Sequence, residues 1–172
     1  MLAAEDARVS GAPEMAPLVT GLRSADPRVV VQAVRALGRF ERPELVKQIL
    51  PLVTHSRTEV RAEALNALGQ ALARVPRAVD DKATVPPEVS TASRTLMARI
   101  RIDPNPYASG VAAETLGRLP YRTAQAVAEA EQVLASILPP PPGSAPIGRG
   151  TQPLARVGQP ASVTGAGACA IR

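Results

Sequence analysis

Apolar residues recur at intervals of three and four along most of the first 138 positions, the period of a helix with one buried face. The clearest stretch is 26–40, where Val30, Ala33, Val34, Leu37 and Phe40 fall on one side. Asp26 stands before them as a helix N-cap, because its carboxylate can accept from free N–H groups of the first turn. Pro27 suits the first helical position, where no N–H is needed. Gly38 lies one turn after Val34, where its size lets two helices approach or lets the helix stop. The same pattern then returns. Val29, Ala33, Ala36, Leu37 and Gly38 reappear 31 residues on as Val60, Ala64, Ala67, Leu68 and Gly69. Asn105-Pro106, Ala112, Leu116 and Gly117 repeat Asp26-Pro27, Ala33, Leu37 and Gly38 a third time, 79 residues after the first copy.

Each copy is preceded by a second apolar period. Met15, Leu18, Val19 and Leu22 open the series from Pro13. Leu45, Val46, Ile49, Leu50 and Val53 form the next face, interrupted by Pro51, which removes a helical hydrogen bond and predicts a kink or an end there. Ser56 and Glu59 have the S-x-x-E spacing of a capping box for the second copy. Val89, Ala92, Leu96, Met97 and Ile100 supply the face before the third copy. Gly110 inside that copy costs about 1 kcal/mol relative to Ala. A last helix over 123–138 offers Val127, Ala130, Leu134, Ile137 and Leu138.

The expected organisation is a lead-in over 1–12, helix pairs over 13–40, 43–73 and 88–119, and a closing helix over 123–138. A loop at 75–87, with Pro76, Asp80, Asp81, Lys82, Pro86 and Pro87, has no period. Its length marks it as functional or disordered. After Leu138 the composition changes. The 34 residues of 139–172 hold seven Pro and six Gly, a low-complexity content that cannot bury enough surface to offset chain entropy. That tail is expected to be disordered.

Composition supports the all-α reading. Apolar residues make up 45 % of the chain, yet Phe40, Tyr107 and Tyr121 are its aromatic residues. The core must therefore be Ala, Val, Leu and Ile, which suits close-packed helices better than strands. The net charge of +5 comes mostly from Arg149, Arg156 and Arg172 in the tail, so it does not mark one surface for nucleic acid. One cysteine, Cys169, makes no internal disulfide. The N-terminal segment has neither a basic start nor an apolar run, so no signal peptide is expected and a cytoplasmic location follows. No apolar run is long enough for a membrane span.

Helix pairs about 31 residues apart, with the second helix opening on D-P or its equivalent and ending in A-L-G, resemble HEAT repeats. The resemblance covers residues 13–138 and is strongest over 22–73. It implies a short superhelix of about three pairs plus a closing helix, near the minimum for a stable stack. Pro51 resembles the proline that commonly bends the first helix of a pair in that family. Arg61 stands where the family often has an arginine, whereas Val30 and Ser109 occupy that place in the other copies, so an inter-repeat polar ladder is not assumed. Residues 22–73, with RALGRFERPELV, also look like the helical region attached to some bacterial cyclophilin-type peptidyl-prolyl isomerases. This chain has no β-barrel domain of that kind, and no catalytic residue transfers.

Candidate chemistry is sparse. His55, the one histidine, sits between Thr54 and Ser56 in a turn and reads as a turn residue, without the partners a metal ligand or general base needs. Cys169 with Arg172 nearby reads as an inert thiol of the tail. Asp80, Asp81 and Glu88 lack the oxygen-ligand spacing of a cation site. Arg28, Arg35 and Arg39 share a stripe that reads as a solvated face interleaved with Glu59 and Glu63. No cofactor or metal is expected. Some HEAT-like proteins are DNA glycosylases, but holding an exposed base wants aromatic residues, and the chain has no Trp. Nucleic acid is therefore disfavoured. The reading is a monomeric, non-enzymatic scaffold for a protein partner, with Arg28, Arg35, Arg61 and Glu63 as the candidate contacts. The alternative is the non-catalytic N-terminal helical part of a cyclophilin-type isomerase.

Overall fold

The computed structural model describes residues 12–77 and 84–138, and every regular element among them is helical. The expected lead-in, the tail with Cys169, and the loop acids Asp80 and Asp81 lie outside the described residues. In order, the helices are α1 (Ala12–Gly21), α2 (Pro27–Arg39), α3 (Val46–Ile49), α4 (Thr58–Ala71), α5 (Pro87–Ile102), α6 (Pro106–Arg118) and α7 (Ala124–Ile137). The short α3 is flanked by 3-10 turns at Pro43–Leu45 and Leu50–Thr54. Pro51 explains that break, since position 51 cannot donate to the preceding turn. The fold is all-α.

The helix starts follow from local chemistry. Asp26 Oδ1 accepts from the Arg28 N–H (2.9 Å) and Asn105 Oδ1 from the Tyr107 N–H (3.0 Å), each with proline at the next position. Thr123 Oγ1 accepts from the Ala126 N–H at the start of α7. The expected capping box at Ser56 is not formed. The N-cap of α4 is Arg57, which offers no side-chain acceptor, and α4 begins at Thr58. His55 Nδ1 instead accepts from the Arg57 N–H at 3.1 Å. That bond belongs to a repeated device: Ser24 Oγ accepts from the Asp26 N–H and Asp103 Oδ1 from the Asn105 N–H. Ser24, His55 and Asp103 are equivalent positions of the three copies. Each holds the turn that launches the second helix.

Those second helices, α2, α4 and α6, pack side by side as one layer, and α5 packs on α6. Consecutive copies meet in register. A Cβ added to Gly38 would lie 3.0 Å from Ala67 Cβ, and one added to Gly69 would lie 2.7 Å from Thr115 Cγ2. These glycines therefore serve close approach between copies rather than helix ends. Leu18, Leu37, Leu45, Ile49, Leu65, Leu68, Leu72, Leu96 and Leu116 are the largest fully buried side chains, each worth about 1.5–3 kcal/mol in removed apolar surface. No aromatic ring belongs to that set.

The closing helix departs from its expected face. Ala130 and Val133 are buried, whereas Ile137 and Leu138 are 47 % and 68 % exposed. Among the described residues α7 packs chiefly on α5 and α6, so it buries a narrow stripe and leaves its last turn exposed.

Candidate partner-binding face

The solvent side of the α2–α4–α6 layer carries Arg28, Arg35 and Glu63, three of the four contacts expected from the sequence. Arg35 and Glu63 meet there: Arg35 Nε donates to Glu63 Oε1 (3.2 Å) and Nη2 to Oε2 (2.8 Å). The fork geometry is the favourable one for Arg and carboxylate. Because the Arg35 side chain is 40 % exposed, the pair is worth little more than a surface ion pair, about 0.2–1 kcal/mol. One step along the layer, Arg118 Nη2 donates to Asn66 Oδ1 (2.9 Å). Arg28 is exposed two turns before Arg35 on the same stripe. Arg28, Arg35 and Glu63 therefore lie on one face.

Arg61 does not join them. It is 6 % exposed, and its guanidinium is committed inside the molecule. Nε and Nη2 donate to Asp103 Oδ2 and Oδ1, both at 3.0 Å, and Nη1 donates to the carbonyls of His55 (3.0 Å) and Ser56 (3.1 Å). Asp103 also accepts from Arg99 Nη2. Its side chain is fully buried. Burial alone raises its carboxyl pKa, but hydrogen bonds from Arg61, Arg99 and the Asn105 N–H, with the Arg99 charge, hold it well below the usual carboxylate range. The candidate contact at Arg61 is thus corrected to a structural tie between the second and third copies. The reason is geometric: at the place of Arg61 the side chain points beneath the turns rather than to solvent, as the 1 % exposure of the equivalent Val30 also shows.

Other candidates have local roles. His55 is the turn acceptor already described. Glu88 lies in the first turn of α5. Among the described residues no three His, Cys, Asp or Glu side chains gather as they would around a metal ion. None of the described helices is long and apolar enough to cross a membrane.

Residues 15–81 match the family model for HEAT repeats. This segment is a HEAT-repeat stack. The HEAT match takes in α1 to α4, and the third pair, α5 and α6, continues the same in-register packing beyond it. HEAT repeats typically mediate protein–protein interaction. No match to a curated protein was found.

Arg99, Asn66 and Arg118 are not singled out by the sequence, nor is Asp103 as a partner of Arg61. Aligning the copies at Ser24, His55 and Asp103 finds Asp103, because the third copy alone places a carboxylate at that position.

Proposed function

We propose that the chain is a non-enzymatic scaffold that holds a protein partner on the α2–α4–α6 layer. The observation that carries this reading is that three equivalent helices present one polar face, with Arg28, Arg35, Glu63, Asn66 and Arg118 side by side. A repeat stack offers such an extended surface without any reacting group. Among the described residues the Arg61–Asp103–Arg99 cluster is buried and pairs two guanidinium groups with one carboxylate, which suits cohesion rather than proton transfer.

The test is charge reversal on the face. Arg28→Glu with Arg35→Glu is expected to abolish binding of a partner identified by crosslinking in the source cells, with an unchanged circular dichroism spectrum. Unaltered binding to that partner rejects this face. A prolyl isomerisation assay on the purified chain is expected to show no turnover, and measurable turnover rejects the non-enzymatic reading.

A further inference from the structure

The α2–α4–α6 layer has an end as well as a face. The turns at 23–28, 55–58 and 101–107 each launch one of the second helices, and they stand in one row. The row is fixed by contacts already described: the Arg61 guanidinium reaches the His55 and Ser56 carbonyls on one side and Asp103 on the other, all within 3.1 Å. The Gly38–Ala67 and Gly69–Thr115 approaches keep the three helices in register along their length.

This edge is basic. Arg23, Arg28, Arg57 and Arg101 are all exposed, and their side chains make no hydrogen bond or ion pair to the described residues. Beneath them, two more guanidinium groups, Arg61 and Arg99, share the single carboxylate of Asp103. The remaining acids on the edge are Asp26, whose Oδ1 is occupied by the Arg28 N–H, and Glu59. Four exposed guanidinium groups and the net positive charge of the buried Arg61–Asp103–Arg99 cluster therefore stand against the two carboxylates of Asp26 and Glu59. At the third turn, next to this charge, Ile102 and Tyr107 are each 66 % exposed. They are two of the large apolar side chains that the fold leaves in solvent.

We infer that this edge docks an acidic peptide segment whose apolar end packs on Ile102 and Tyr107. The inference rests on the scaffold reading and names the chemistry of its partner. Three helices packed about 8–10 Å apart place the outer turns roughly 20 Å from each other. An extended segment of about six residues covers that distance at roughly 3.3 Å per residue. Arginine forks pair with carboxylates in two-point fashion, which selects an acidic strand over a merely polar one. Nucleic acid fits less well. A single-stranded site wants a run of aromatic platforms along a groove free of carboxylates, whereas Tyr107 is the one Phe, Tyr or Trp in these turns, the His55 ring is tied to the Arg57 N–H, and Asp26 and Glu59 interrupt the row.

The experiment is fluorescence anisotropy on the full chain. The probe is a fluorescein-labelled peptide of six glutamates followed by two leucines. A peptide with glutamine for each glutamate and a short oligothymidine serve as comparisons. Saturable binding of the glutamate peptide is expected, with no binding of the glutamine peptide. Arg57→Glu with Arg101→Glu is expected to weaken it by about tenfold or more, since charge reversal converts attraction into repulsion at the site. Arg23→Glu with Arg28→Glu, at the other end of the row, repeats the test should the first variant melt early. Binding that ignores both pairs of substitutions, equal affinity for the glutamine peptide, or tighter binding of oligothymidine overturns the inference. A chain that ignores the glutamate peptide, yet holds an identified partner through Arg35, overturns the inference and leaves the scaffold reading standing. A chain that does neither overturns both.

Discussion

Asp103→Asn is expected to be among the most damaging near-isosteric substitutions in the molecule. The Asp103 carboxylate is fully buried and accepts two bonds from Arg61, one from Arg99 and one from the Asn105 N–H. An amide keeps the volume but turns one acceptor into a donor aimed at guanidinium donors. Two positive charges then remain below the surface without a counter-charge. Breaking one partner of a buried ion pair costs about 3–5 kcal/mol, which for a domain of this size lowers the melting temperature by roughly 10–20 °C. Thermal unfolding followed by far-ultraviolet circular dichroism reads that shift. A second variant isolates the cause. The first copy buries Val30 where the second has Arg61, so an apolar side chain fits that site. In an Arg61→Met background the added cost of Asp103→Asn is expected to fall to about half or less, because contacting residues couple. The pH dependence gives an independent check. The folded-state pKa of Asp103 is lowered from 3.8, so its contribution is complete above that value and drains away as the pH falls below it. Wild-type stability should fall on acidification below 3.8, with a smaller slope in Asp103→Asn. A variant melting within about 2 °C of wild type would refute the reasoning, since an unpaired buried charge cannot cost so little.

Two glycine substitutions are expected to act with opposite sign. Gly38→Ala puts a Cβ 2.6 Å from Gln70 Oε1 and 3.1 Å from Ala67 Cα, so it should destabilise despite its better helix propensity. Gly110→Ala meets nothing within 4 Å and should stabilise by about 0.5–1 kcal/mol; urea denaturation compares the two. Burial pushes the Tyr121 hydroxyl up to about 12 against a weaker opposing bond with Ser93, and the hydroxyl donates to the Leu116 carbonyl at 2.8 Å. Its contribution is whole below the ordinary value of 10.0 and lost as the pH rises towards about 12, an alkaline loss that Tyr121→Phe should remove in unfolding curves. The Arg35–Glu63 pair should give a coupling of about 0.2–1 kcal/mol in a double-mutant cycle that shrinks in high salt. Equal coupling at low and high salt would contradict its half-exposed placement.

Periodicity carries most of the fold. Val30, Ala33, Val34 and Leu37 in α2, and Val89, Ala92, Leu96 and Ile100 in α5, are buried as their spacing requires. Asp26 and Asn105 cap the helices they precede, because a short side-chain acceptor followed by proline leaves few other conformations. The misses share a physical cause. Arg61 reads as a surface residue because charge is ordinarily solvated. Its burial depends on a carboxylate 42 residues away, which no local pattern reports. Ser56 and Glu59 had the spacing of a capping box, but the turn places His55, not Ser56, as the acceptor for its N–H groups. In α7 the stripe through Ile137 was as regular as the one through Val133. Only the position of α5 and α6 decides between them. For the candidate face, Arg28, Arg35 and Glu63 follow from stripe geometry, whereas Asn66 and Arg118 depend on the lateral register of three helices.

The Arg61–Asp103 tie also makes the order of the copies directional. The second copy offers an arginine that only the third copy can answer, because the equivalents of Asp103 are Ser24 and His55. The first copy is apolar at the same place, with buried Val30 standing where the second has Arg61. Duplicating the second copy in tandem would bury a guanidinium against a histidine, whereas duplicating the first would extend the stack without leaving a charge behind. The array can therefore lengthen by copying its first unit but not its second, unless a carboxylate arrives at position 55 along with the new copy.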